Sequence, residues 1–108
     1  MTEHNRTKWN DRYRDDPHPR PPSAVVRRFC GRAPRGPALD IACGTGGNTA
    51  LLAGKGFAVE AVDLSEVGLA VVLRHTPEAR TLQVDLDTYE IPENRYSLIL
   101  NIRFLNRR

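Results

Sequence analysis

The amino-acid sequence predicts an α/β fold: a parallel sheet with helices on both faces and strand order 3-2-1-4. Three observations carry this. Short apolar runs of strand length alternate with longer amphipathic segments from residue 38 onward, and that alternation builds parallel sheets. The first run, Leu39-Asp40-Ile41, breaks into the small residues Ala42-Cys43-Gly44-Thr45-Gly46-Gly47 before a helix-forming stretch, so the backbone turns sharply where strand passes into helix. The next run, Ala58-Val59-Glu60-Ala61-Val62, ends in the carboxylate Asp63, at the roughly 20-residue spacing that brings an acid on the neighbouring strand to the same turn.

Residues 1–22 read as a polar, proline-rich arm. Trp9 and Tyr13 are four apart and share one face if residues 5–14 coil. Pro17, Pro19, Pro21 and Pro22 exclude a helix after it and favour an extended segment. Ser23 is placed to cap a helix running through about Gly31, with Ala24, Val25, Val26 and Phe29 apolar and Arg27, Arg28 and Arg32 outward. Gly31, Pro34, Gly36 and Pro37 punctuate its end. Strands are then expected at 38–42, 57–62, 80–84 and 96–102, with helices at 46–55 and 66–75. Gly54 and Gly56 suit the end of the first of these helices, and Ser65 with Glu66 the start of the second. Right-handed crossovers and a switch point between the first and fourth strands give the order 3-2-1-4, with a ligand at the carboxyl ends of the strands. The fourth strand is apolar on both faces, as an interior parallel strand should be, yet the sequence ends a few residues later. Residues 23–108 are therefore expected to form part of a truncated domain, its fourth strand open to pairing with another chain.

The small-residue turn opening a helix admits a ligand close to its amides. Asp40 sits late in an apolar strand, and a buried acid needs donors. At the lip of the turn it is expected to accept hydrogen bonds from the turn's own amides and, directly or through water, from a ligand's ammonium group. That suits an amino-acid-bearing nucleoside better than a pyrophosphate. The dinucleotide registers Ala42-x-Gly44-x-x-Gly47 and Gly44-x-Gly46-x-x-Thr49 are both imperfect, which leaves an NAD- or FAD-binding oxidoreductase as a remote alternative.

Leu39-Asp40-Ile41-Ala42-Cys43-Gly44-Thr45-Gly46 resembles the first motif of class I S-adenosylmethionine-dependent methyltransferases, with Ala42 where many members have a glycine. The resemblance implies a Rossmann-like, seven-stranded fold of which this chain holds the first half. It places Asp40, Ala42, Gly44 and Gly46 in the cofactor turn, Asp63 with its neighbour Leu64 at the ribose, and Asp85 with Leu86 beside the adenine. Lys8-Trp9-Asn10-Asp11-Arg12-Tyr13-Arg14 is similar to the W-x-x-R-Y segment that opens the thiopurine and tellurite-resistance-like branch, and Phe104-Leu105-Asn106-Arg107-Arg108 to the F-L-x-R that follows its fourth strand. By that likeness Trp9 and Tyr13 cover the cofactor; the alternative is that they staple the arm to the sheet. S-adenosylmethionine is the expected cofactor. A small molecule is the expected acceptor, with a thiol, selenium or tellurium nucleophile suggested by the branch. Because the sulfonium methyl is already activated, such a protein needs mainly positioning, and no catalytic base is assigned. The second reading is a non-catalytic or incomplete cofactor-binding fragment that needs missing strands or a partner.

Composition narrows the remainder. Hydrophobic content is 40%, and no apolar stretch approaches the roughly 18 residues of a membrane span. The charged opening Met1-Thr2-Glu3-His4-Asn5-Arg6 carries no secretory pattern, so a cytoplasmic protein is expected. Cys30 and Cys43 lack C-x-x-C spacing, and His4, His18 and His75 lack ligand spacing, so no metal is expected. The net charge is +3, but the basic residues are spread along the chain and interleaved with acids near the start, and the group Arg27, Arg28, Arg32 and Arg35 is read as lacking aromatic stacking partners. This argues against nucleic acid.

Overall fold

The computed structural model describes residues 3–101. Helix α1 spans Glu3–Asp15, longer at each end than expected. Its exposed side is tied by one-turn ion pairs, Arg6 with Glu3 and Arg14 with Asp11, and it ends before Pro17. Helix α2 covers Ala24–Phe29 and tightens into a 3-10 turn at Cys30–Arg32. Ser23 occupies the N-cap position, but its side chain makes no cap bond; its backbone amide instead donates to Asn48 Oδ1 at 2.8 Å. Of the apolar residues expected inward, Val26 is buried while Val25 and Phe29 are exposed. Arg28 and Arg32 lie over the Phe29 ring at 5.4 and 4.8 Å, so the basic group expected to lack an aromatic partner has one in Phe29.

Strand β1 (Pro37–Ile41), helix α3 (Gly47–Gly54), strand β2 (Ala58–Asp63), helix α4 (Glu66–His75) and strand β3 (Arg80–Gln83) follow within a residue of expectation. Gly56, at φ 97°, turns the chain out of α3. Ser65 caps α4, its hydroxyl oxygen accepting from the Gly68 amide at 3.0 Å. Strand β4 is shorter than predicted, Leu98–Leu100; ahead of it the Tyr96 hydroxyl donates to Glu60 and the Ser97 amide to the Pro37 carbonyl. Residue 102 and the Phe104–Arg108 segment lie outside the described residues.

All strands are parallel in the order β3-β2-β1-β4. Period-two alternation sorts their side chains. One face presents Ala38, Val59 and Ala61 to Val26, Leu52 and Val72 of the helices. The other presents Leu39, Ile41 and Val62 to Val84, Leu86, Tyr89 and Tyr96, from the segment between β3 and β4. Truncating Leu52, which is fully buried, would cost about 2–5 kcal/mol. Two well-covered central strands thus hold the carboxyl ends of β1 and β2 side by side.

Candidate functional site

At those ends the β1–α3 turn climbs through three left-handed positions: Ala42 (φ 60°), Gly44 (φ 59°) and Gly46 (φ 93°). Only glycine takes such angles without strain, so Ala42 is held there by its surroundings. The Cys43 amide continues the ladder to the Val62 carbonyl at 3.1 Å, and the Gly46 amide closes the turn on the Cys43 carbonyl at 3.0 Å. Asp63 then clamps the turn from β2. Its Oδ2 accepts from the Gly44 amide at 2.8 Å and its Oδ1 from the Ser65 amide at 3.0 Å. Burial raises the Asp63 pKa above the ordinary carboxylate value, and the amide bonds oppose that rise.

The acid that receives the turn's amide is therefore Asp63, not Asp40. Asp40 lies behind the turn, 2% exposed, and its Oδ2 accepts from the Thr49 hydroxyl at 2.7 Å. Burial pushes it up to about 6, the Thr49 bond working against that and the Asp63 charge adding to it. The reason is geometric. Asp40 points to the helix-covered face, where α3 supplies Thr49, while Asp63 ends β2 level with the turn.

Helix α1 closes the site from above. Tyr13 is buried, and its ring lies so near Gly68 that a Cβ there would stand 2.9 Å from Tyr13 Cδ2. Burial and then the Asp63 charge push its phenol up, so it stays protonated. Trp9 stacks on Tyr13 at 5.7 Å and 28°. The Ser65 hydroxyl donates to Asn10 Oδ1 at 2.6 Å, joining α1 to the cap of α4 and, through the Ser65 amide, to Asp63.

These elements enclose a cavity of about 490 Å³, within the range of small-molecule sites. Of the residues singled out from the sequence, Trp9, Tyr13, Ala42, Gly44, Asp63, Leu64 and Leu86 line it. Asp40, Gly46 and Asp85 do not. Gly46 serves packing, since a Cβ would meet Val72 Cγ2 at 2.8 Å. Asp85 turns back on its own loop, accepting from the Asp87 amide at 2.9 Å. Sequence reasoning missed Lys8, Arg12, Arg20 and Gly47. A Cβ on Gly47 would fall 1.9 Å from the Arg20 carbonyl oxygen, so the extended proline segment can lie on α3 only over a glycine. Cys43 also lines the cavity, but burial and the Asp63 and Asp40 charges hold its thiol well above the ordinary value, and it is no nucleophile at neutral pH. Among the described residues no group of three His, Cys, Asp or Glu side chains is placed to hold a metal ion, and no helix is long and apolar enough to cross a membrane.

Residues 38–107, from β1 past β4, match the family described as "Methyltransferase domain". The chain belongs to this methyltransferase family. With its parallel 3-2-1-4 sheet and its SAM-dependent structural neighbours, it is a class I S-adenosylmethionine-dependent methyltransferase domain, and S-adenosylmethionine is its cofactor class. Among solved structures, a TehB-like SAM-dependent methyltransferase from Corynebacterium glutamicum is 27% identical at TM-score 0.64, over 91% of this chain and 54% of that one. A Haemonchus contortus phosphoethanolamine-type N-methyltransferase, solved with phosphomonomethylethanolamine and S-adenosylhomocysteine, is 30% identical at TM-score 0.58, over 70% of this chain and 19% of that one. The glycopeptide N-methyltransferase MtfA, complexed with S-adenosylmethionine, shares the fold at 23% identity and TM-score 0.60, over 73% of this chain and 35% of that one. No curated protein matches the chain. This methyltransferase domain spans about half, or less, of the length of the solved structures it resembles.

Proposed function

We propose that the chain supplies the cofactor-binding part of an enzyme that moves a methyl group from S-adenosylmethionine to a small-molecule acceptor. Residues 1–22 form the arm that roofs the site and 23–108 the cofactor-binding portion. The observation that carries the reading is Asp63. Two amides fix its carboxylate at the end of β2, and among the described residues it is the one carboxylate lining the cavity, with lone pairs left for ribose hydroxyls. Leu64 and Leu86 supply apolar surface for an adenine, and Ala42 and Gly44 bring backbone close to the amino-acid end. Trp9 and Tyr13 cover the bound molecule. Asp40 acts from behind by fixing α3 through Thr49, while Gly46 and Asp85 shape the turn and the β3 loop. When bound, S-adenosylmethionine supplies an activated methyl, so these residues have to position it and exclude water.

The likeness of Lys8 to Arg14 to the thiopurine and tellurite-resistance-like branch, and the TehB-like neighbour, support a soft thiol, selenium or tellurium nucleophile. The nicotinamide or flavin reading has no comparable support.

Calorimetric titration with S-adenosylhomocysteine tests the cofactor. Asp63→Ala is expected to weaken binding by about 1.5–3 kcal/mol, the worth of hydrogen bonds to a charged group, with the circular dichroism of the variant confirming its fold. Equal affinity in the two proteins refutes the assignment.

A second reading has its own support. Strand β4 has no outer neighbour among the described residues, and Ile99 on it is 45% exposed. We infer that this edge pairs with a further strand, of a longer chain or of a partner, before the site is complete. Sedimentation over a range of concentrations reads it: a monomer throughout contradicts pairing between chains.

A further inference from the structure

Helix α1 buries two side chains, Asn10 and Tyr13, one turn apart on its inward face. Tyr13 packs, but Asn10 needs another explanation. At 4% exposure its amide costs free energy unless it is hydrogen-bonded, and an apolar residue would seat the helix without that cost. What Asn10 supplies is an acceptor. Ser65 is fully buried, and its other polar groups are all engaged: the amide donates to Asp63 Oδ1 at 3.0 Å, the carbonyl accepts from the Leu69 amide at 3.1 Å, and the hydroxyl oxygen accepts from the Gly68 amide at 3.0 Å. The remaining hydroxyl proton goes to Asn10 Oδ1 at 2.6 Å. The bonds continue beyond Ser65, because Asp63 Oδ2 accepts the Gly44 amide at 2.8 Å. Asn10, Ser65, Asp63 and Gly44 thus form one consecutive series from the roof helix to the cofactor turn, its first three members buried.

We propose that Asn10 is a positioning residue for the Asp63 carboxylate, acting through Ser65 to hold it where it meets both the turn and a ribose. The inference rests on the cofactor reading above. Without the Asn10 acceptor the Ser65 hydroxyl proton is orphaned, and leaving a buried donor unpaired costs more than the bond contributed. The hydroxyl turns to another acceptor, the Ser65 backbone moves with it, and Asp63 loses the donor that fixes Oδ1. Arg6 provides the contrast, since it ties α1 to α4 through Glu66, with Nε to Oε1 at 3.0 Å, by a route that bypasses Ser65. If Asn10 served only to seat the roof, losing either tie would have the same effect on the turn.

Amide hydrogen exchange in the ligand-free 108-residue chain reads this at Gly44, with the Cys43 amide, bonded to the Val62 carbonyl at 3.1 Å, as the internal control. Asn10→Ala is expected to speed exchange at Gly44 by about tenfold while Cys43 stays within about twofold, the mark of a local rather than a global opening. Arg6→Gln is expected to leave both amides as they are. Equal speeding at the two amides in Asn10→Ala, no change at Gly44, or the same pattern in Arg6→Gln overturns the proposal. Asn10→Asp keeps an acceptor for the Ser65 proton, and the N-terminus of α4 favours a carboxylate. Its Gly44 amide is expected to exchange as in the unmodified chain; faster exchange there overturns the proposal even if Asn10→Ala does not fold. Calorimetry with S-adenosylhomocysteine gives the second arm. Asn10→Ala is expected to weaken binding roughly fivefold, but by less than about twofold when Asp63 is already alanine, since changes within one hydrogen-bonded network do not add. A full loss in the Asp63→Ala background assigns Asn10 to the roof alone and overturns the proposal. An unmodified chain with no affinity for S-adenosylhomocysteine sinks the cofactor reading, and exchange at Gly44 still decides whether Asn10 positions Asp63.

Discussion

Asp40, one residue before the end of β1, and Asp63, the last of β2, sit in similar sequence settings on neighbouring strands, yet they do different work. Asp63 faces the cavity and fixes the turn, whereas Asp40 is buried behind it with the Thr49 hydroxyl as donor. Being pushed up to about 6 from 3.8, Asp40 holds its proton more tightly folded than unfolded. Below pH 4 it is protonated in both states and costs nothing. Between about pH 4 and 6 the unfolded chain ionises first, so stability falls as pH rises, by roughly 3 kcal/mol for a shift of about two units. Asp40→Asn keeps an acceptor for Thr49 and removes this loss. Urea denaturation at pH 4 and pH 7 is expected to show wild type losing that much more stability than the variant, and parallel losses would refute the account. The sequence made both acids legible as a pair about 20 residues apart. It did not reveal which one receives the Gly44 amide, because that depends on where β2 ends relative to the turn, a register set by Ala38–Val59 and Asp40–Ala61 pairing rather than by either motif.

Among the elements, the alternating strands and helices were legible to within a residue because central parallel strands are continuous apolar runs with glycine or serine at the helix ends. The ends of β4 and the face of α2 were not, since Tyr96 answers to Glu60 across the sheet and α2 seats on the core through Val26 while Val25 faces solvent, neither of which the local pattern shows. The docking of α1 was also hidden. It rests on Arg6 reaching Glu66, with Nε to Oε1 at 3.0 Å, on Asn10 meeting Ser65, and on Tyr13 lying against Gly68, contacts between residues more than fifty apart. Gly68 is the element-scale test, because a Cβ there would meet the Gly44 carbonyl oxygen at 2.8 Å and the Tyr13 ring at 2.9 Å. Helix propensity favours alanine by about 1 kcal/mol, so a purely local account predicts that Gly68→Ala stabilises α4. Packing predicts the reverse, a loss of about 1–3 kcal/mol, with α1 lifted and Trp9 emission shifted to the red. A stabilised variant with unchanged emission would show that α1 does not seat on this glycine.

For the molecule as a whole, the two sheet faces differ in how they are covered. Among the described residues helices α2, α3 and α4 pack on one face, while the other has only the segment from Val84 to Tyr96 over its centre. Toward its margins that second face leaves Leu82 54% and Ile99 45% exposed, on the two outermost strands, β3 and β4. The cost is uneven. Strand β3 is polar at three of its four positions, reading Arg-Thr-Leu-Gln, whereas β4 is Leu-Ile-Leu, and an apolar edge invites another strand where a charged one repels it. Association of this chain is therefore expected to run through β4. Ile99→Lys puts a charge on that strand without touching the core, and sedimentation velocity at rising concentration should show it monomeric where the unmodified chain forms larger species. Leu82→Lys, the same change on β3, should leave association intact. If both lysines abolish it, the face rather than the β4 edge is what is recognised; if neither does, the contact lies elsewhere.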